Sequence, residues 1–211
     1  MLVLREHIND SELIIWRMDE TLDELMELTE HHYDHELAEI SNPTRKKERI
    51  TSRFLLETLV GQKVDVKYEE SGKPICSGIN FSISHTKNFV AVIVRNESAC
   101  ENIEPVGIDI EYKNDRIFRV TEKFMHPEEL NTLSSFAKNI EQTSIFSNDA
   151  QKFALLCWCA KETVFKMIDE IGVDFTKMNC NISSEKVILT YKNADFILNF
   201  LDFPDFFVVF S

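Results

Sequence analysis

The chain has 211 residues, 44% of them apolar, which supplies core for one large domain or two small ones. A formal net charge of -13 and a pI near 4.9 exclude a general nucleic-acid binder, because such binding rests on phosphate neutralisation by Lys and Arg. The opening MLVLREHIND places charge where a secretory signal would need an apolar core, and the longest apolar stretch, Phe153–Ala160, is far short of a membrane span. The expectation is a cytoplasmic protein with no membrane partner and with five free, mostly buried cysteines.

In chain order, Met18–Glu39 reads as an acidic amphipathic stretch, and Asn42-Pro43-Thr44 as the start of a helix running from about Arg45 to Val60, where Gly61 stops it. Val64–Tyr68 alternates like a strand, Ser71-Gly72-Lys73-Pro74 is a turn, and Phe81–Ser84, Phe89–Arg95 and Val106–Glu111 are extended. Helices follow over Arg116–Met125 and Pro127–Lys138, then a polar loop at Asn139–Asn148 and a long helix from about Asp149 to Ile171, before Gly172. Asp174–Ile182, Lys186–Tyr191, Asp195–Leu201 and Phe206–Phe210 have the pattern of an antiparallel sheet. The expected class is α+β: two similar halves, 1–105 and 106–211, in a pseudo-twofold arrangement, each an antiparallel sheet packed on a long helix. A faint echo, Gly61 before Val64-Asp65-Val66 against Gly172 before Val173-Asp174-Phe175, suggests internal duplication. In that case the residues of a shared site would meet at a cleft between the halves.

Three carboxylates carry most of the chemical information. On a strand, Asp109 and Glu111 leave the same face and converge on one ion, while Ile108 and Ile110 point into a core. On a helix, Glu162 and Lys166 share a face, so a metal-ligand carboxylate stands beside an ammonium that neutralises phosphate oxygens. Arg45, Lys46, Lys47, Arg49 and Arg53 form a basic island suited to one small anion, or else simply a solvated helix face. Each feature alone has an ordinary reading: a strand edge, a helix-surface ion pair, a structural histidine at His85. His31 and His35, one helical turn apart, lack a further ligand cluster and read as an exposed acidic face rather than a metal site.

Together, four ordered segments resemble the 4'-phosphopantetheinyl transferases of the larger, pseudo-dimeric, surfactin-synthetase-activating type. They are Gly72-Lys73-Pro74, Phe81-Ser82-Ile83-Ser84-His85-Thr86, Gly107-Ile108-Asp109-Ile110-Glu111 and Trp158-x-x-Lys161-Glu162-x-x-x-Lys166. The resemblance implies a monomer that transfers 4'-phosphopantetheine from coenzyme A to a serine hydroxyl of an apo acyl or peptidyl carrier protein, releasing adenosine 3',5'-bisphosphate. It further implies Mg2+, with Mn2+ as the alternative ion, held by Asp109, Glu111 and Glu162. Lys161 and Lys166 would sit near the phosphates, with Ser84, His85 and Lys73 as coenzyme contacts. Arg53, with Arg45 or Lys46, would meet the 3'-phosphate, and Glu128, or its neighbour Glu129, would help deprotonate the serine. Ser82 and Thr86 replace the family's Asn and Ser, and the basic helix lacks the His-Arg start of some relatives. The competing readings are a non-catalytic coenzyme A or carrier-binding relative and, less well supported, a Mg2+-dependent nuclease. Such nucleases want E-x-K on a strand, whereas Lys161-Glu162 falls on a helix.

Overall fold

The computed structural model describes residues 1–95, 104–138, 148–168 and 170–211. Cys100 and nearly all of the expected loop Asn139–Asn148 lie outside these residues. The chain divides into two compact units, Met1–Ile108 and Asp109–Ser211, both mixing helices with an antiparallel sheet. No described helix is long and apolar enough to cross a membrane.

The first unit opens with a hairpin that the sequence reading passed over, β1 (Leu2–Ile8) and β2 (Ser11–Arg17), turned at Asn9 with φ 56. Asn tolerates this left-handed conformation. Two short helices, α1 (Leu22–Leu28) and α2 (Asp34–Ala38), replace the single stretch expected over Met18–Glu39, because Glu30 and His31 between them both take positive φ. Helix α3 (Pro43–Val60) begins where expected: the Asn42 carboxamide oxygen accepts from the backbone N–H groups of Thr44 and Arg45, and Pro43 sits where no amide hydrogen is needed. Gly61, at φ 72, ends it by donating its N–H to the Glu57 carbonyl.

Of the strand expected over Val64–Tyr68 only β3 (Lys67–Tyr68) pairs, with β4 (Pro74–Ile75) across the Gly72 turn, while Val64 and Val66 are drawn into the core. β5 (Asn80–Thr86) and β6 (Phe89–Arg95) complete a sheet of order β1-β2-β6-β5. β2 and β6 are its central strands and buried over most of their length, and Leu55 and Leu56 of α3 pack with Val90, Val92 and Val94.

In the second unit, β7 (Ile108–Tyr112) is an edge strand of the sheet β7-β11-β10-β9-β8, with β8 (Asn179–Ile182), β9 (Lys186–Tyr191), β10 (Ala194–Asp202) and β11 (Phe206–Phe210). β9 alternates strictly between exposed and buried positions, the mark of a sheet with one face on a core. The expected helix over Arg116–Met125 resolves into a 3-10 segment, Asp115–Arg119, and the single turn α4 (Thr121–Phe124), followed by α5 (Pro127–Lys138). Helix α6 (Asn148–Met167) is buried on most of its circumference and sets Ala154, Leu156, Ala160 and Val164 in the same core as Leu189, Leu198 and Val209. The strand expected from Asp174 starts only at Asn179, because the Asp174 carboxylate caps Thr176 and folds Phe175–Lys177 into a 3-10 turn. The sequence echo therefore reaches a left-handed glycine in each half, Gly61 and Gly172, and not the segments that follow. Cys76, Cys157, Cys159 and Cys180 are free thiols.

Candidate functional site

Asp109 and Glu111 lie on β7, alternating with the fully buried Ile108 and Ile110, so one strand face feeds the core and the other gathers acids. Glu162 and Lys166 follow on α6, one turn apart. The Lys166 ammonium donates to Asp109 Oδ1 at 2.8 Å, linking helix to strand. The Glu111 carboxylate accepts from Trp158 Nε1 at 3.0 Å. Burial, the Asp109 charge and, less strongly, the Glu162 charge push the Glu111 carboxyl up to about 7, against the opposing effect of the Trp158 hydrogen bond and Lys166. Burial and Asp109 likewise raise Glu162. One buried and two partly buried carboxylates that repel one another, with the Lys166 ammonium on Asp109, form an acidic site.

That repulsion has a measurable sign. Glu111 ionises near 4.5 in an unfolded chain and near 7 in the folded one, so its contribution to stability is complete below about pH 4.5 and is lost as pH rises through about 7. Glu162 is shifted in the same direction. Metal-free protein is expected to lose stability from these groups between pH 5 and pH 8, with divalent cation restoring it at the upper end. Thermal melts across that range with EDTA or Mg2+ measure the effect, and metal-free stability that these carboxylates make rise with pH, a trend abolished in Glu111→Gln, would refute it.

Two of the expected phosphate-facing cations are buried against carboxylates of the protein. Lys161 points into the interior, fully buried, donating to Glu129 Oε2 at 2.5 Å and to the Phe124 carbonyl at 2.9 Å. Its burial follows from α6 being enclosed on that side by α5 and β8. Arg53 is also fully buried, its Nε and Nη2 on Glu36 with a shortest contact of 2.7 Å and its Nη2 donating to the Tyr68 hydroxyl at 3.1 Å, while Nη1 is buried without a hydrogen-bond partner and Glu36 is shared with Arg49. Glu128 is exposed on the first turn of α5, where it accepts from Asn179 Nδ2 at 2.6 Å, whereas its neighbour Glu129 is buried.

A separate feature of the first unit is an open cleft of about 730 Å3 along the first turns of α3. Arg45 and Arg49 line it with Tyr68, Pro74 and His85, and the Arg49 guanidinium lies 4.5 Å from the Tyr68 ring centroid. His85 Nδ1 lies 3.5 Å from Glu48 Oε1. Ser84, next to His85 on β5, is buried, in keeping with strand alternation. Lys73 adjoins the lining residue Pro74 in the turn, and Lys46 is not part of the wall. Sequence reasoning read Arg49 only as part of the basic island and Tyr68 only as part of an expected strand, and gave neither a ligand contact. Their signals were a place in the basic island and an aromatic side chain just ahead of the Gly-Lys-Pro turn.

A further group, Glu129, Cys157 and Cys180, brings three ligand-type atoms within 4.8 Å of one another. It does not suit a cation. Both Glu129 oxygens are taken by the N–H groups of Cys180 and His126 and by the Lys161 ammonium, and burial raises the Cys157 thiol well above its usual range.

Residues 105–203, a span that contains all three site carboxylates, match the family model of the 4'-phosphopantetheinyl transferase superfamily. Over 124 residues the chain is 29% identical to the protein named 4'-phosphopantetheinyl transferase gsp of Aneurinibacillus migulanus, a match that covers 57% of this chain and 46% of that protein. The chain thus spans about half the length of the curated relative it matches.

Proposed function

We propose that the chain, whose residues 105–203 match the family model of the 4'-phosphopantetheinyl transferase superfamily, belongs to that superfamily and moves the 4'-phosphopantetheine group of coenzyme A onto a serine hydroxyl of an apo acyl or peptidyl carrier protein. The observation that carries this reading is that Asp109 and Glu111 on β7 and Glu162 on α6 act on one another electrostatically, with Lys166 ion-paired to Asp109 across the two elements, although their ligand oxygens do not all lie within 4.8 Å of one another. An all-oxygen, mutually repelling donor set suits a hard divalent cation such as Mg2+ or Mn2+. When bound there, that ion supplies charge neutralisation and Lewis-acid polarisation of the pyrophosphate.

In the reaction, the serine oxygen forms a bond to the phosphorus that bears pantetheine, and the bond from that phosphorus to the bridging oxygen breaks. Adenosine 3',5'-bisphosphate departs, and the serine proton goes to a base. Lys166 exchanges one negative partner for another, from the Asp109 carboxylate to a phosphate oxygen. Glu128, carrying an exposed carboxylate on the first turn of α5, is the proposed proton acceptor. The α3 cleft is the proposed seat of the adenosine portion. There Arg45 and Arg49 supply guanidinium donors for its phosphates, His85 supplies a further donor, and Tyr68 offers a ring face to the base. Arg53, matched to Glu36, supports that wall from behind. We read the two units as the related halves of the larger, pseudo-dimeric type, because each is an antiparallel sheet packed on one long helix.

The test is incubation with coenzyme A, Mg2+ and a panel of apo carrier proteins, read as the mass gained by the carrier. No gain on any carrier, with coenzyme A still bound, would leave a non-catalytic relative. Arg45→Ala is expected to weaken coenzyme A binding about tenfold, the loss of one charge-assisted phosphate contact, while affinity for Mn2+ stays unchanged. Equal coenzyme affinity in the variant would remove the α3 cleft from the proposal.

A further inference from the structure

The Lys161–Glu129 pair is buried in the second unit, and both Glu129 oxygens are hydrogen-bonded. Glu129 Oε1 accepts from Cys180 N at 2.7 Å, and Oε2 accepts from His126 N at 2.8 Å and from Lys161 Nζ at 2.5 Å. Lys161 Nζ also donates to the Phe124 carbonyl at 2.9 Å. Four segments are thereby tied at one point: the end of α4, the start of α5, the middle of α6 and the first residues of β8.

Buried ion pairs of this kind add little net stability, since apolar residues of equal volume often serve as well or better. What an apolar pair cannot do is fix the positions of three backbone polar groups. Lys161 and Glu129 each adjoin a residue of the proposed site, and Phe124 and Cys180 reach such residues through one further side chain. Lys161 immediately precedes Glu162, so the helix holds the two side chains about 100° apart. The Phe124 ring, attached to the carbonyl that Lys161 grips, packs edge-on against Trp158 at 5.0 Å, and Trp158 donates to Glu111. Glu129 follows Glu128 and Cys180 follows Asn179, the two residues joined at 2.6 Å.

We propose that Lys161 and Glu129 are positioning residues whose buried pair sets the placement of Glu162 directly and of Glu111 through Phe124 and Trp158. This rests on the reading of Asp109, Glu111 and Glu162 as metal ligands. The pair touches neither ion nor substrate, and its effect is on how well three carboxylates converge.

The experiment measures Mn2+ binding calorimetrically, without coenzyme or carrier, on the whole chain. The double variant Glu129→Leu/Lys161→Met removes both charges together, and Glu129→Gln/Lys161→Met is a milder form that keeps an acceptor for one backbone N–H. Folding is checked by circular dichroism. A folded double variant is expected to bind Mn2+ at least about tenfold more weakly than the parent, the usual scale for groups that orient metal ligands. Its coenzyme A affinity, measured in EDTA, stays at the parent value. A folded form of either variant with parental Mn2+ affinity overturns the positioning role and leaves the metal site standing. A parent that binds Mn2+ no better than Asp109→Ala overturns the metal site, and the positioning role with it.

Discussion

Glu162→Ala is expected to lower carrier modification by at least ~100-fold, the scale for removing one group that stabilises charge in the transition state. The same substitution should raise the stability of the metal-free protein. Glu162 is one of three acids crowded around β7 and α6, and its charge helps hold the Glu111 carboxyl near 7. Removing it lets Glu111 ionise more easily and relieves repulsion that the fold otherwise absorbs. Asp109→Ala should match the loss in activity, and combining the two should cost little more than either alone, because ligands of one ion act as a unit. Single-turnover transfer kinetics and EDTA melts test both halves. Activity within about tenfold of the parent would remove Glu162 from the site, and a lower metal-free melting temperature would show that packing at this position outweighs charge relief.

Lys161→Met alone should be strongly damaging to stability, costing about 3–5 kcal/mol, because it leaves the Glu129 carboxylate buried against the core with no counter-charge. Glu129→Leu/Lys161→Met should recover part of that loss, since no buried charge then remains, while the Cys180 and His126 N–H groups and the Phe124 carbonyl lose their partners. Urea unfolding with unchanged m-values gives the comparison. A single variant that loses no more than about 1 kcal/mol, the ordinary size of a point substitution, would mean that water reaches Glu129 or that it takes up a proton at little expense. The contrast between single and double variants also separates the two functions of the pair, since stability partly returns in the double variant while metal affinity does not.

Regular elements with strong punctuation were readable from the chain alone. Asn42-Pro43 at one end of α3 and Gly61 at the other bound a helix because capping and left-handed geometry are local properties. The β9–β11 strands were readable from alternation and aromatic runs. The β1–β2 hairpin was missed because the continuous burial of β2 leaves no alternation to read, and its turn relies on one positive-φ Asn rather than a glycine. The Val64–Tyr68 and Asp174–Ile182 strands were drawn too long because propensity is local, whereas a strand exists only where a partner strand offers hydrogen bonds.

The site divides in the same way. By itself the sequence determined that Asp109 and Glu111 share one strand face and that Glu162 and Lys166 share one helix face, because those relations follow from the repeat of a single element. Only the tertiary structure decided which charged side chains turn inward. Lys161 and Arg53 had every appearance of ligand-facing cations, yet each is enclosed because a carboxylate from another segment, Glu129 in one case and Glu36 in the other, meets it in the interior. A charge is buried or exposed according to whether a distant part of the chain compensates its lost hydration, and no local pattern encodes that partner.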